Sequence, residues 1–162
     1  STISTAPIST RAATPTRRLE AIRQLSEAGI PVSVMVAPII PGLTDQEIER
    51  ILDSATAAGA TSAGYVILRL PLEVSPIFKD WLLRHYPDSY RHVLSLIRSM
   101  RDGKDYDSEW GKRMKGKGPY AWQIGRRFEI AAKRLGLNAE RTPLRTDLFK
   151  AAPKEHEQLM LL

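Results

Sequence analysis

The sequence predicts an α/β chain: two to three parallel strands of an open or incomplete sheet, followed by a helical C-terminal extension. From Ala28 to Pro71 (AGIPVSVMVAPIIPGLTDQEIERILDSATAAGATSAGYVILRLP) the chain reads strand, proline-framed loop, amphipathic helix, strand. That is one βαβ unit, and the step from Val32 to Tyr65 is about thirty residues, the usual crossover length. Val32, Val34 and Val36 alternate with Ser33, Met35 and Ala37, so both faces of the first strand are largely apolar. Such strands suit a parallel sheet covered by helices. After Pro71 the apolar spacing becomes helical throughout.

Residues 1–13 are polar and turn-rich, either a strand remnant over Ser1–Ser4 or a disordered lead-in. Thr14-Pro15 then supplies an N-cap with proline at the first helical position. Leu19, Ile22, Leu25 and Ala28 line one face of the helix, Gly29 ends it, and Arg17, Arg18 and Arg23 fall on a solvated side. Thr44 and Glu47 match a T-x-x-E capping box, which satisfies orphaned N–H groups at a helix start. Ile48, Ile51, Leu52 and Ala55 follow as a buried face, Gly59 gives the positive-φ stop, and Tyr65–Leu70 resumes an apolar strand. The α-β-α-β order implies an α/β layer or part of a (β/α) barrel, with too few strands to close one.

Pro76 opens the next helix, with Ile77, Phe78, Trp81, Leu82 and His85 on one face, and Pro87 stops it. Phe78 and Trp81 read as core packing before any binding platform. Asp88 or Ser89 can cap a helix carrying Tyr90, Val93, Leu94, Ile97 and Met100, closed by Gly103. Residues 101–118 (RDGKDYDSEWGKRMKGKG) break the pattern as a long, charged, glycine-punctuated loop with Tyr106 and Trp110. Long loops of this kind are functional or disordered. Lys112, Arg113, Lys115 and Lys117 could grip phosphates beside base-stacking aromatics, or the loop is simply solvated. Pro119 opens a last helix with Tyr120, Ile124, Phe128, Ala131 and Leu135 inside and Gly136 after it. Leu137–Phe149 is expected as an extended tail anchored by Leu144, Leu148 and Phe149. The organisation is therefore residues 1–72 as strand–helix units, 73–150 as the helical extension with its basic loop at 101–118, and 151–162 as a disordered tail or short helix.

At 162 residues with 43% apolar and 26% charged composition, one domain with a real core is expected. No apolar run reaches the ~18 residues of a membrane span and no leader is evident, so a cytoplasmic protein is the default. The net charge of +6 is a mild attraction toward anions, equally explained by solubility. With no cysteine, the chain offers no disulfide, thiol nucleophile or thiolate ligand for zinc or an iron–sulfur cluster. His85, His92 and His156 lack metal-binding spacing, and Asp102, Asp105, Asp107 and Glu109, with Lys104 among them, suit local salt bridges better than calcium. None of the common nucleophile, phosphate-loop, dinucleotide or zinc-protease motifs occurs. No catalytic residue and no metal ligand is assigned.

RRLEAIRQLSEAGIPVSVMVAPIIPGLTDQEIERIL (Arg17–Leu52), continued by AGYVILRLP, resembles the later part of a radical S-adenosylmethionine (SAM) protein. GKDYDSEWGKRMKGKGPYAWQIGRRFEIAAKRLGL (Gly103–Leu137) is similar to the C-terminal region of the spore photoproduct lyase-like group, often labelled DNA repair photolyase. The resemblance implies a partial, TIM-like (β/α)₆ barrel whose N-terminal half binds a [4Fe–4S] cluster through three cysteines. The cluster's open iron would chelate SAM. This chain would then be a C-terminal fragment, inactive alone, whose partner is the missing N-terminal barrel half. The sequence departs from the group at Ser9-Thr10, where Glu-Pro is expected before Arg11.

The resemblance makes Val34–Ala37 the fifth barrel strand and Pro38–Gly42 the loop above it. Pro38, Ile39 and Ile40 would meet adenine and the backbone near Gly42 would bond its edge. Tyr65–Arg69 would be the sixth strand, with Tyr65 and Leu68 again near adenine and Arg69 reaching toward the substrate mouth. The plain alternative makes Ile39, Ile40 and Leu68 core. Two rival readings stand beside this one. One is a nucleic-acid-binding module using Lys112, Arg113, Lys115, Lys117, Arg126 and Arg127. The other is a partner-docking domain whose exposed sheet edge also invites homo-oligomers.

Overall fold

The computed structural model describes residues 12–106, 108, 114–140 and 146–151. Helix α1 spans Pro15–Glu27, strand β1 Ser33–Ile39, α2 Ile48–Ala57 and β2 Ser62–Ile67. The helices α3 (Val74–His85), α4 (Tyr90–Ser99) and α5 (Gly118–Arg134) follow, with 3₁₀ turns at Asp45–Glu47 and Pro87–Ser89. The architecture is mixed α/β. Strands β1 and β2 pair in parallel, Ser33 with Ser62, Val36 with Tyr65 and Ile39 with Ile67, with an irregularity between Val36 and Ile39. The βαβ unit thus forms from the stretch that predicted it. The proposed Ser1–Ser4 strand and residues 152–162 lie outside the described residues.

Helices α2 and α5 cover one face of the sheet. Val36, Ile39 and Ile67 pack there with Ile48 and Leu52 of α2 and Ile124, Phe128 and Ala131 of α5. Each of these side chains larger than alanine, fully buried, contributes about 1.5–3 kcal/mol. A second apolar cluster lies beyond the strand exits, where Ile40, Leu68 and Leu70 meet Leu82 of α3 and Val93, Leu94 and Ile97 of α4. The opposite face of the sheet is uncovered among the described residues. Met35, paired with Gly64, is 59% exposed, and Ala37 is exposed as well. Of the two apolar faces that the alternation marks, the described residues cover the one under α2 and α5.

The two edges of the sheet differ as sharply as its faces. Along the outer edge of β2, the Asn138 side chain donates to Ala63 O at 3.0 Å and accepts from Ala63 N–H at 2.9 Å. Asn138 N–H bonds Thr61 O at 3.1 Å, and Ile67 N–H bonds Met114 O at 2.9 Å. Asn138 does this from a left-handed backbone, φ 61°, which asparagine tolerates better than most residues. Along the outer edge of β1, no hydrogen bond is made by any described residue.

Helix starts differ in detail from their sequence signals. Thr14 caps α1 through Arg17 N–H, as expected, and Arg17, Arg18 and Arg23 are exposed. No residue of α1 is buried. The T-x-x-E capping box does not form. Thr44 Oγ1 instead accepts Ile40 N–H at 2.8 Å, tying down the loop after β1, while Glu47 pairs with Arg50 and α2 begins at Ile48. Helix α3 begins at Val74, so Pro76 lies in its first turn, where a missing N–H costs nothing. Ile77 and Ile51 are exposed, not inside. Neither Asp88 nor Ser89 caps α4 by its side chain; the 3₁₀ turn leads into it directly. Leu148 and Phe149 are 73% and 78% exposed and anchor no tail, while Leu144 lies outside the described residues. No helix among the described residues is long and apolar enough to cross a membrane.

Candidate functional site

The exits of β1 and β2 lie side by side, joined by Leu68 N–H to Ile39 O at 2.9 Å. The residues that the resemblance assigns to adenine divide into surface and floor. Pro38 and Gly42 are exposed, whereas Ile39, Ile40 and Leu68 are buried in the two apolar clusters. Gly42 has φ +71°, and a Cβ there would come within 3.0 Å of Leu96 Cδ1 and 3.2 Å of His92 Cδ2. Its backbone is therefore pressed against α4 in a way only glycine allows.

Tyr65 turns toward the helix-covered face. Its ring centroid is 4.7 Å from that of Phe128, and Lys115 Nζ lies 5.3 Å from its ring centre. Its hydroxyl occupies the space beside Gly125, where a Cβ would be 2.9 Å away. Burial pushes the phenol above its ordinary pKa and the Glu129 charge adds to that. Tyr65 thus packs behind the strand, away from the face that carries Met35.

Arg69, two residues past β2, is partly buried. Nη2 donates to Tyr106 Oη at 3.0 Å, Nη1 approaches Met114 Sδ at 3.6 Å, and the guanidinium carbon lies 5.6 Å from the Tyr106 ring centre. Its Nε is buried without a hydrogen-bond partner. Beneath it, Arg101 is 1% exposed and Nη2 donates to Leu68 O at 3.2 Å. Beside Tyr106, the Asp105 carboxylate receives Lys79 of α3, Arg98 of α4 at 2.8 Å and Ser75 Oγ at 3.3 Å. Hydrogen bonds from Lys79 and Arg98 hold Asp105 below the usual carboxylate pKa. The sequence suggested only local pairing for Asp105; its real partners lie on two separate helices.

The other cations are largely engaged. Arg127 forms a bidentate pair with Glu49 at 2.8 and 2.7 Å and donates to Asp45 O at 3.0 Å. Its hydrogen bonds hold Glu49 below the usual carboxylate pKa. Asp45, itself buried, accepts from Tyr120 Oη at 2.9 Å. Arg126 pairs with Glu129 at 2.9 Å and Lys117 with Asp102 at 2.8 Å. Lys112 and Arg113 lie outside the described residues. Among the described residues no three histidines, aspartates or glutamates converge as a metal site would require.

No family model matches this chain, and no solved structure does. Over 87 residues it is 36% identical to an uncharacterized protein of Mycobacterium tuberculosis and equally to one of Mycobacterium bovis. The match covers 52% of this chain and 26% of each relative. The chain thus spans about a quarter of the length of the curated relatives it matches.

Proposed function

We propose that this chain is the closing part of a radical SAM enzyme: the last strands of a partial (β/α) barrel with its C-terminal extension, forming the adenine and substrate side of the site. One observation carries the reading. Strand β2 is sealed along its outer edge by Asn138 and Met114, whereas among the described residues nothing bonds the outer edge of β1 or covers the Met35 face of the sheet. Proteins manage their strand edges, so an unsealed one beside a sealed one favours further strands joining at β1. The greater length of the matched relatives is consistent with such additional chain.

The residues present do not fit the iron–sulfur cluster, because the sequence holds no cysteine. Cluster ligation is therefore assigned to the missing N-terminal half. For SAM the fit is confined to a wall. Pro38 and the backbone at Gly42 can meet a flat ring, with Ile39, Ile40 and Leu68 stiffening the wall from below. Bound SAM would supply the radical chemistry, and this chain would supply orientation. Arg69 would face the substrate. The engagement of Arg126, Arg127 and Lys117 by carboxylates weighs against the nucleic-acid alternative.

Anaerobic reconstitution tests the reading on two proteins, this chain and the chain extended by the preceding gene region. The extended protein is expected to take up about one cluster and cleave SAM, and this chain to do neither. Stoichiometric iron uptake by this chain alone, or none by the extended one, overturns it.

A further inference from the structure

We infer that the exit of β2 binds an oxyanion, a phosphate or carboxylate group, through Arg69 and Tyr106. Calling that group part of a substrate rests on the reading above; the anion site itself rests on the side chains alone.

Arg69 is a partly buried cation whose partners among the described residues are all neutral. A thioether sulfur at 3.6 Å is a weak acceptor, and the phenol oxygen at 3.0 Å carries no charge. Among the described residues no carboxylate meets it, and its buried Nε has no hydrogen-bond partner. Burying a charged group without a charged or fully hydrogen-bonded partner is costly, and an unsatisfied buried donor asks what normally fills it. Asp105 cannot compensate Arg69, because Lys79, Arg98 and Ser75 already share its two oxygens. Tyr106 accepts from Arg69 through its oxygen and keeps its own proton to donate. An oxyanion seated there would take an Nη–H of the guanidinium and the phenol O–H together, and the Nε–H of the same guanidinium reports its arrival. Charge-assisted bonds of this kind are the strong ones, and guanidinium geometry suits phosphate and carboxylate.

The test follows the Arg69 Nε–H resonance of the full chain by NMR while inorganic phosphate, acetate or chloride is added at constant ionic strength. A saturable shift with phosphate or acetate, absent with chloride, is expected, and the better of the two probes tells a phosphoester from a carboxylate ligand. Arg69→Met should weaken binding of that probe, read by calorimetry, about tenfold or more, while Arg23→Met on the exposed side of α1 should leave it unchanged. Shifts that are linear or equal for all three anions overturn the site, as does undiminished binding in a folded Arg69→Met protein. The wild-type titration decides even where the variant fails to fold. Because iron uptake is read on the extended protein, failure of the anion site and failure of the enzyme reading are distinguishable.

Discussion

The outer edges of β1 and β2 belong to neighbouring strands of like composition, yet the chain treats them in opposite ways. On β2, Asn138 presents an amide that replaces a neighbouring peptide, and Met114 supplies a carbonyl further along. On β1, none of the described residues makes an equivalent bond. The faces repeat the contrast, with Phe128 and Ile124 on one side and an exposed Met35 on the other. Unpaired strand edges and apolar surface are costly to leave in water, and among the described residues both are concentrated on β1 and on the face that carries Met35.

The faces give the largest expected effect. Phe128→Ala should cost about 3–5 kcal/mol, whereas Met35→Ala should stay within about 0.5 kcal/mol, both read from denaturant unfolding. Comparable losses at the two positions would break the contrast. The edges come next. Asn138→Ala removes both side-chain bonds to Ala63 and places alanine at φ 61°. A loss of about 1–3 kcal/mol is expected from those causes. Asn138→Gly keeps the backbone conformation and so isolates the amide's share; an unchanged stability in both would remove the seal.

The smallest effect is electrostatic and contrasts the saturated Asp105 with Arg69. Asp105 has its folded pKa lowered by Lys79 and Arg98. Its stabilisation is therefore complete above the unfolded carboxylate value of about 3.9 and is lost as pH falls through the lower folded value. Thermal melting between about pH 5 and pH 2 should show that loss, and Asp105→Asn should flatten it. An identical acid profile in the variant would show that these ion pairs add nothing.

The sequence by itself determined the parallel βαβ unit and the five helices, because spacing such as Val34–Val36 or Ile124–Phe128–Ala131 follows directly from strand and helix geometry. It did not determine where polar groups went. Thr44 and Glu47 formed the right pattern for a cap, yet the hydroxyl found a nearer use on Ile40 N–H. Asp105 reached Lys79 and Arg98 on different helices, and Asn138 reached Ala63 from 75 residues away. The neutral surroundings of Arg69 and the division of Pro38, Ile39, Ile40 and Gly42 into surface and floor were likewise decided by the tertiary structure. Apolar periodicity is a local property of the backbone, whereas a hydrogen bond or ion pair needs two groups that only the folded chain brings within about 3 Å.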